Sequence, residues 1–334
     1  MDRVLLGHGS GGKLMHSLID RYFASSFGLG ELLDSATVLA GGSKLAFTTD
    51  SYVVSPVFFP GGDIGGLSVY GTVNDLSMAG ATPLFLTAGF IIEEGFPMKD
   101  LEKVAASLAK AAGHAGVRVV SGDTKVVERG KGDGIFINTA GIGLIPDGID
   151  FSPKKIRPGD AVLVSGEVGS HGIAVMAERN ALGFEPPLLS DSRPLNGLVK
   201  EMLRAGEGIR VMRDPTRGGL ATTLKEFALG SGLCIKMREA DIPVSPAVRG
   251  ACGFLGLDPL YAASEGVLVA VAGADVAEYL LGLMKGHEYG SHAAIIGKVE
   301  TSGRYPESSV VVETLIGGER MLDMLSGEQL PRIC

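Results

Sequence analysis

Glycine is the residue that most narrows the folds open to this chain. There are 50 in 334 residues, roughly twice the share of about 7% that ordinary proteins carry. They follow no Gly-X-Y period and form no low-complexity run, which excludes a collagen-like rod. They gather instead between apolar runs, in GHGSGGK (7–13), PGGDIGG (60–66) and DPTRGGL (214–220). Glycines placed this way make turns and let backbone approach a ligand inside folded domains. At 334 residues and 45% apolar, the chain can build two cores of about 150 residues each.

Charge and cysteines narrow the class further. A net charge of −8 argues against a nucleic-acid groove or an anionic membrane surface as partner. Cys234, Cys252 and Cys334 form no CxxC pair, and an odd count without a secretion signal fits a reducing compartment. No apolar run approaches the 18 or so residues of a membrane span. The expectation is a soluble, cytoplasmic protein.

Chemistry-bearing residues sit at the breaks between elements. Gly7, Gly9 and Gly12 fit GxGxxG, while Gly7, Gly12 and Lys13 fit GxxxxGK, but Leu14 stands where Ser or Thr should hold magnesium. Neither standard nucleotide fold follows, yet bare N–H groups beside an ammonium still suit polyphosphate. Residues 44–54 alternate as a strand holding Asp50. A helix is expected over 67–80, with Asn74 and Asp75 beside its apolar side; Asp75 either meets a metal or caps a neighbouring element. Residues 81–92 read as a strand, and Asp100 opens a helix ending near Gly113. Residues 117–127 read as strand, a break at Gly122-Asp123-Thr124-Lys125, then strand again.

A polar, proline-containing linker is expected over 147–159, and buried strands at 161–166 and 293–299. His171 precedes an apolar helix, where a histidine is more often a helix-start residue than a catalyst. Asp214 followed by Pro215 is explained as an N-cap and N1 pair. Thr216, Arg217, Gly218 and Gly219 nevertheless put a hydroxyl and a guanidinium at a helix N-terminus, an anion site. Residues 243–256 read as loop-rich, Glu265 stands at the mouth of a buried strand, and Gly317-Gly318 suggest a two-residue hairpin turn. Both halves alternate strand, acidic loop and helix, so two related α/β layers are expected. Asp50, Asp75, Asp123 and Asp214 offer hard oxygens of the kind magnesium takes alongside phosphate and water. No HxxxH, CxxC or HExxH pair supports zinc, and no GxSxG elbow supports a serine hydrolase.

The chain ends in Pro331-Arg332-Ile333-Cys334. A thiol on a flexible end can be carried to chemistry, and seven extended steps of about 3.4 Å reach roughly 24 Å. No other candidate nucleophile is evident.

Together GHGSGGK, FFPGGDIGG, GTVNDLSMAGA, SGDTKVV, DPTRGGLA, SEG and the final PRIC resemble the HypE family of hydrogenase-maturation carbamoyl dehydratases, within the PurM-like, AIR synthase-related ATP-binding superfamily. The resemblance covers essentially the whole chain, and PRIC is its most specific mark. It implies an α/β (α+β) fold of two PurM-like domains. The first (1–147) would be a mixed-sheet, barrel-forming half, the second (158–305) an α/β domain, and 306–334 a terminal hairpin and mobile tail. It implies that a carbamoyltransferase, HypF, loads a carbamoyl group onto Cys334. ATP and Mg2+ then drive its dehydration to a thiocyanate, whose cyanide passes to iron on a HypC–HypD complex. It also implies a homodimer with ATP held in a cleft of the dimer. By the same resemblance Asp50, Asp75, Asp123 and Asp214 hold magnesium. Gly9, Gly11, Gly12, Lys13, Thr124, Gly218 and Gly219 contact nucleotide, and Lys125 and Glu265 remove protons or orient the thiocarboxamide. The alternatives are a selenophosphate-synthetase-like phosphotransferase, which would want a reactive cysteine near the N-terminal glycine loop, and a nucleotide-binding scaffold without catalysis. Loss of one water from the carbamoylated C-terminal peptide on ATP addition separates the dehydratase from the scaffold.

Overall fold

The computed structural model describes residues 12–24, 35–325, 330 and 332–334. Gly9, Gly11 and most of the N-terminal glycine motif lie outside the described residues. The first half runs α1 (Lys13–Leu18), β1 (Ala36–Ala40), β2 (Ser43–Tyr52), the small hairpin β3 (Phe58–Phe59) and β4 (Gly62–Asp63), α2 (Ile64–Met78), β5 (Thr82–Glu93), α3 (Met98–Ala115), β6 (Arg118–Val127) and β7 (Ile135–Ile145). The second runs β8 (Ala161–Val164), α4 (Ser170–Arg179), α5 (Asn196–Met202), β9 (Ile209–Arg213), α6 (Gly219–Ser231), β10 (Cys234–Arg238), α7 (Pro246–Leu255), β11 (Val269–Ala272), α8 (Ala277–Lys285), β12 (Ala294–Glu300), β13 (Val310–Glu313) and β14 (Glu319–Leu322).

The first half is an open five-stranded sheet, β1-β2-β7-β5-β6, antiparallel except for the β5–β6 pair. Its end strands do not pair with each other, so no barrel closes within one copy. One face is core: Tyr52, Leu86, Ile135 and Ile137 pack on Leu67, Val69 and Val73 of α2 and on Val104 and Leu108 of α3. α2 starts where Asp63 accepts hydrogen bonds from the backbone N–H groups of Gly65 (2.7 Å) and Gly66 (3.1 Å), which satisfies donors a helix start leaves open. This helix is buried nearly all round, as a helix must be when both halves pack against it.

The second half is a seven-stranded sheet, β14-β13-β10-β12-β8-β11-β9. Alternation sends Val162, Val164, Val269 and Val271 to one face, against Leu220, Leu224 and Phe227 of α6. Leu163, Met212 and Ala270 face the other way, onto Leu198 and Met202 of α5 and Leu280 and Met284 of α8. Met78, the last residue of α2, enters that second core. No described helix is long and apolar enough to cross a membrane.

Three readings change. The stretch 243–256 is not loop-rich: it contains α7, capped by the Ser245 hydroxyl accepting from Val248 N at 3.2 Å. The Ser-Pro pair that should have announced that helix is a standard N-cap and N1 signature. Strand β6 runs unbroken through Gly122–Lys125. The final hairpin turns through Thr314–Gly318, with Thr314 N donating to Gly318 O at 2.7 Å. Its first strand, β13, extends the second sheet by parallel pairing with β10.

Candidate active site

The two halves meet along α2, and Asn74 is the joint. Its side chain is fully buried. Its Nδ2 donates to Arg193 O (3.1 Å) and Glu265 O (3.2 Å), and its Oδ1 accepts from Leu195 N (2.7 Å). One turn of the same helix therefore holds the loop carrying Glu265 on one side and presents Asp75 on the other. Asp75 Oδ2 accepts from the Thr48 hydroxyl of β2 at 2.9 Å. Between the halves lies a cleft of about 200 Å³. Asp50, Asp75, Asp214, Glu265, Arg217 and Cys334 all line it.

Each is brought there by a different break in the chain. Asp50 is near the end of β2, Asp214 follows β9, and Arg217 precedes α6. Ser264 N donates to Pro215 O at 3.0 Å, tying the Glu265 loop to the Asp214–Arg217 turn. Gly218 and Gly219 lead into α6 with φ of +77° and +60°, a conformation costly for other residues. A Cβ on Gly219 would also stand 2.7 Å from the carbonyl oxygens of Leu260 and Ala262. Both glycines are thus demanded by local packing, whatever ligand they also approach.

The electrostatics are those of crowded acids, with Arg217 the cation set among Asp50, Glu265 and the Cys334 sulfur. Glu265 is 1% exposed; burial first, then the negative charge of Asp214, Asp50 and Asp191, hold its carboxyl well above the ordinary range. Its Oε1 has no hydrogen-bond partner among the described residues. Arg217 Nη2 stands 4.0 Å from Asp50 Oδ1, and the Cys334 sulfur, Asp50, Asp75 and Glu265 raise its pKa further. Burial pushes the Cys334 thiol up to about 12, against the opposing pull of Arg217. No three His, Cys, Asp or Glu side chains among the described residues converge as a metal-holding group.

The C-terminal tail is seated, not free. Val53 N donates to Cys334 O (3.1 Å) and Ser55 N to Arg332 O (3.2 Å), so the last residues pair antiparallel with the chain just beyond β2. Ile333 is 5% exposed and packs with Tyr52, Val54 and Val175.

The remaining candidates lie elsewhere. Asp123, Thr124 and Lys125 are on edge strand β6, away from the cleft lining. Lys125 Nζ is bound to Asp123 Oδ2 at 2.6 Å, both side chains exposed. The exposed Lys125 and Asp123 sit opposite Ile91 and Gly89 of β5. Lys13 is paired with Asp323 at 2.7 Å, and Gly12 lies just before α1. Arg213, Glu226 and Thr48 line the cleft without having stood out in sequence. Their neighbours Asp214 and Asp50 drew attention because they interrupt apolar runs, whereas these three continue polar positions within elements and carry no such mark.

The comparisons with known proteins bear on the fold and the family. The AIR synthase related protein N-terminal domain matches residues 33–145, and the AIR synthase related protein C-terminal domain matches 157–306. The carbamoyl dehydratase HypE of Cupriavidus necator is 51% identical over 99% of this chain and 95% of its own. A HypE-HypF complex contains a chain 50% identical, superposing with a TM-score of 0.87 over 92% of this chain and 100% of that one. HypE in complex with ATP is 48% identical, with a TM-score of 0.85 over 99% of this chain and 100% of that chain.

Proposed function

Because the chain belongs to the HypE family of carbamoyl dehydratases, one branch of the AIR synthase related proteins, we propose that it dehydrates a carbamoyl group carried on its own Cys334, using ATP. The observation that supports this most is the seated tail, which delivers the Cys334 sulfur into the acid-lined cleft. The carbamoyl donor is a HypF-type carbamoyltransferase, in keeping with the HypE-HypF complex. The cyanide acceptor is the iron of a HypC–HypD assembly.

The γ-phosphoryl group of ATP moves to the carboxamide oxygen, and ADP leaves. The nitrogen then gives up two protons, the C–O bond breaks, and phosphate departs with its electron pair. The product is a thiocyanate on Cys334, with the elements of water carried away in phosphate. An amide oxygen leaves poorly and a phosphate leaves well, so the protein's share is positioning and charge control. Glu265 has the attributes of the proton acceptor: it is buried, its pKa is raised, and Oε1 is unpaired among the described residues. Arg217, beside both Asp50 and the tail, suits the negative charge that develops on the phosphorylated oxygen.

Asp50, Asp75 and Asp214 would hold Mg2+, since the cleft provides hard carboxylate oxygens and leaves the remaining positions to nucleotide and water. Held by these carboxylates, the ion would supply positive charge against the triphosphate. Asp123, Thr124 and Lys125 enter this scheme through a second copy. The sheet of the first half has an outer face that no described residue covers: Phe47 is 46% exposed, Phe85 40%, Ile91 47% and Leu144 41%. Exposed apolar area of this extent marks an interface. Two copies joined across this face form the homodimer and complete the barrel that one copy leaves open, with Asp123 and Lys125 on the covered side.

Mass spectrometry of the C-terminal peptide tests the proposal. Carbamoylated protein given MgATP should lose the mass of one water at Cys334. Asp75→Asn should slow that loss, and Cys334→Ala should take up no carbamoyl group while still binding ATP. Carbamoyl loading of the Cys334→Ala protein, or cyanide delivered by it at the normal rate, would end the account.

A further inference from the structure

Helix α4 meets the tail along one stripe of residues. His171, Gly172, Val175 and Arg179 follow each other at intervals of one, three and four, and each touches the tail or leaves room for it. His171 Nε2 lies 2.6 Å from Ile333 O, and its Nδ1 lies 2.8 Å from Ser190 Oγ. A carbonyl only accepts, so Nε2 carries the proton and Nδ1 accepts from the serine hydroxyl. The ring is fully buried, and burial lowers its pKa to about 4, which keeps it neutral. A Cβ on Gly172 would stand 3.1 Å from Leu330 Cδ1. Val175 packs with Ile333. Arg179, two turns beyond His171, donates through Nη2 to Arg332 O and through Nε to Ser55 O, each at 2.6 Å. One guanidinium thus binds the tail and the strand it pairs with at once.

The tail residue so held is strained. Arg332 has φ +51°, a left-handed conformation that costs a non-glycine residue about 1–2 kcal/mol. Its side chain is also occupied, with Nε donating to Val53 O at 3.0 Å and Nη1 paired with Asp133. Such a conformation persists only where surrounding contacts over-determine it.

We propose that His171 and Arg179 are positioning residues for the dehydration step: they set the balance between the seated tail and the released tail that a carbamoyl donor must reach. This rests on the reading that Cys334 carries the carbamoyl group, and it assigns roles to two side chains that do not touch the reacting atoms. The seated tail presents sulfur to the cleft, whereas the released tail presents it to the donor. Weakening the hold therefore moves the two half-reactions in opposite directions. A residue serving only the fold would lower both together.

The test uses the full-length protein with His171→Ala, His171→Gln, Arg179→Ala and Arg179→Lys. Without nucleotide, Cys334 alkylation by N-ethylmaleimide is followed in the C-terminal peptide. His171→Ala and Arg179→Ala should each react about tenfold faster or more, the order expected for losing one hydrogen bond to a buried carbonyl. Carbamoyl loading by the carbamoyltransferase should match or exceed wild type, while single-turnover ATP-dependent dehydration falls by a similar factor. His171→Gln keeps an amide donor near the Nε2 position and should recover most of both. Unchanged alkylation in both alanine variants overturns the proposal, as does faster alkylation with unchanged dehydration. Should His171→Ala fail to fold cooperatively, the two Arg179 variants decide by the same readings. Should no carbamoyl group ever appear on wild-type Cys334, the function proposed above fails, and the alkylation rates still decide the hold on the tail.

Discussion

Glu265 and Cys334 are both driven toward their neutral forms, and for the same reason. Each is buried among acids, with Arg217 opposing. For Glu265 the consequence reaches stability. Its folded pKa lies above the ordinary 4.5, so the favourable contribution is fully present below that pH and is lost as pH rises through the folded value. Glu265→Gln, a permanent copy of the neutral form, should flatten this decline. Urea unfolding at pH 5 and pH 8 should show a smaller loss for the variant than for wild type, and parallel losses would remove Glu265 from the list of perturbed acids. The same variant should dehydrate carbamoylated Cys334 slower by about 10²-fold or more. The thiol argues along the same line. Held near 12 while seated, it is a poor nucleophile there, in keeping with the proposal that carbamoyl loading takes the released tail.

Among the elements, the start of α6 shows how packing and chemistry share residues. The turn 214–219 delivers Asp214 and Arg217 to the cleft, and it closes only because Gly219 adopts φ +60° against the Leu260 and Ala262 carbonyls. Gly219→Ala should therefore destabilise the protein by about 1–3 kcal/mol, seen as a lower urea midpoint, with MgATP affinity falling as the turn shifts. A fully stable variant with weakened ATP binding would instead put the glycine in direct contact with nucleotide. The Asp-Pro-Thr-Arg-Gly-Gly pattern was legible as a helix start bearing charge. Helix α7 was less so, because Val248, Ala251 and Cys252 are its only buried side chains and two glycines, Gly250 and Gly253, dilute its pattern. Strand β6 misled in the other direction. Its Gly-Asp-Thr-Lys run looks like a break, yet an exposed edge strand tolerates polar and small residues that a central strand would not.

Two surfaces matter to the molecule as a whole, one joining the halves and one proposed to join two copies. One is the seam between the halves, where Asn74 makes three hydrogen bonds to backbone of the second half. Asn74→Asp keeps the acceptor but loses both donations and buries a charge. It should cost about 2–4 kcal/mol, measured by urea denaturation, and it should loosen the Glu265 loop so that dehydration suffers more than ATP binding. Unchanged stability would mean that the halves are held by their apolar contacts alone. The other surface is the bare face of the first sheet. If two copies join across this face as proposed, Phe85→Glu should leave monomers in sedimentation velocity where wild type gives dimers, with soluble and folded protein. If the reading of Asp123 and Lys125 as contributors across the interface is right, activity should fall with dimerisation; an active monomer would confine the site to one copy.

From residue order alone came the alternation of apolar strands and helices in two halves, the acids placed at their breaks, and the identity of the family. These are local properties: burial period, turn chemistry and short motifs are written within a few residues of each other. The convergence of Asp50, Asp75, Asp214, Glu265 and Cys334 on one cleft was decided by the packing of both halves around α2, which joins residues up to 284 positions apart (334 − 50). The seating of the tail was likewise decided by the folded chain. His171 read as an ordinary helix-start residue, and Arg179 carried no mark at all, because what they bind is backbone. A carbonyl oxygen has no signature in a side-chain sequence, and its partner can be found only once the chain has brought the two together.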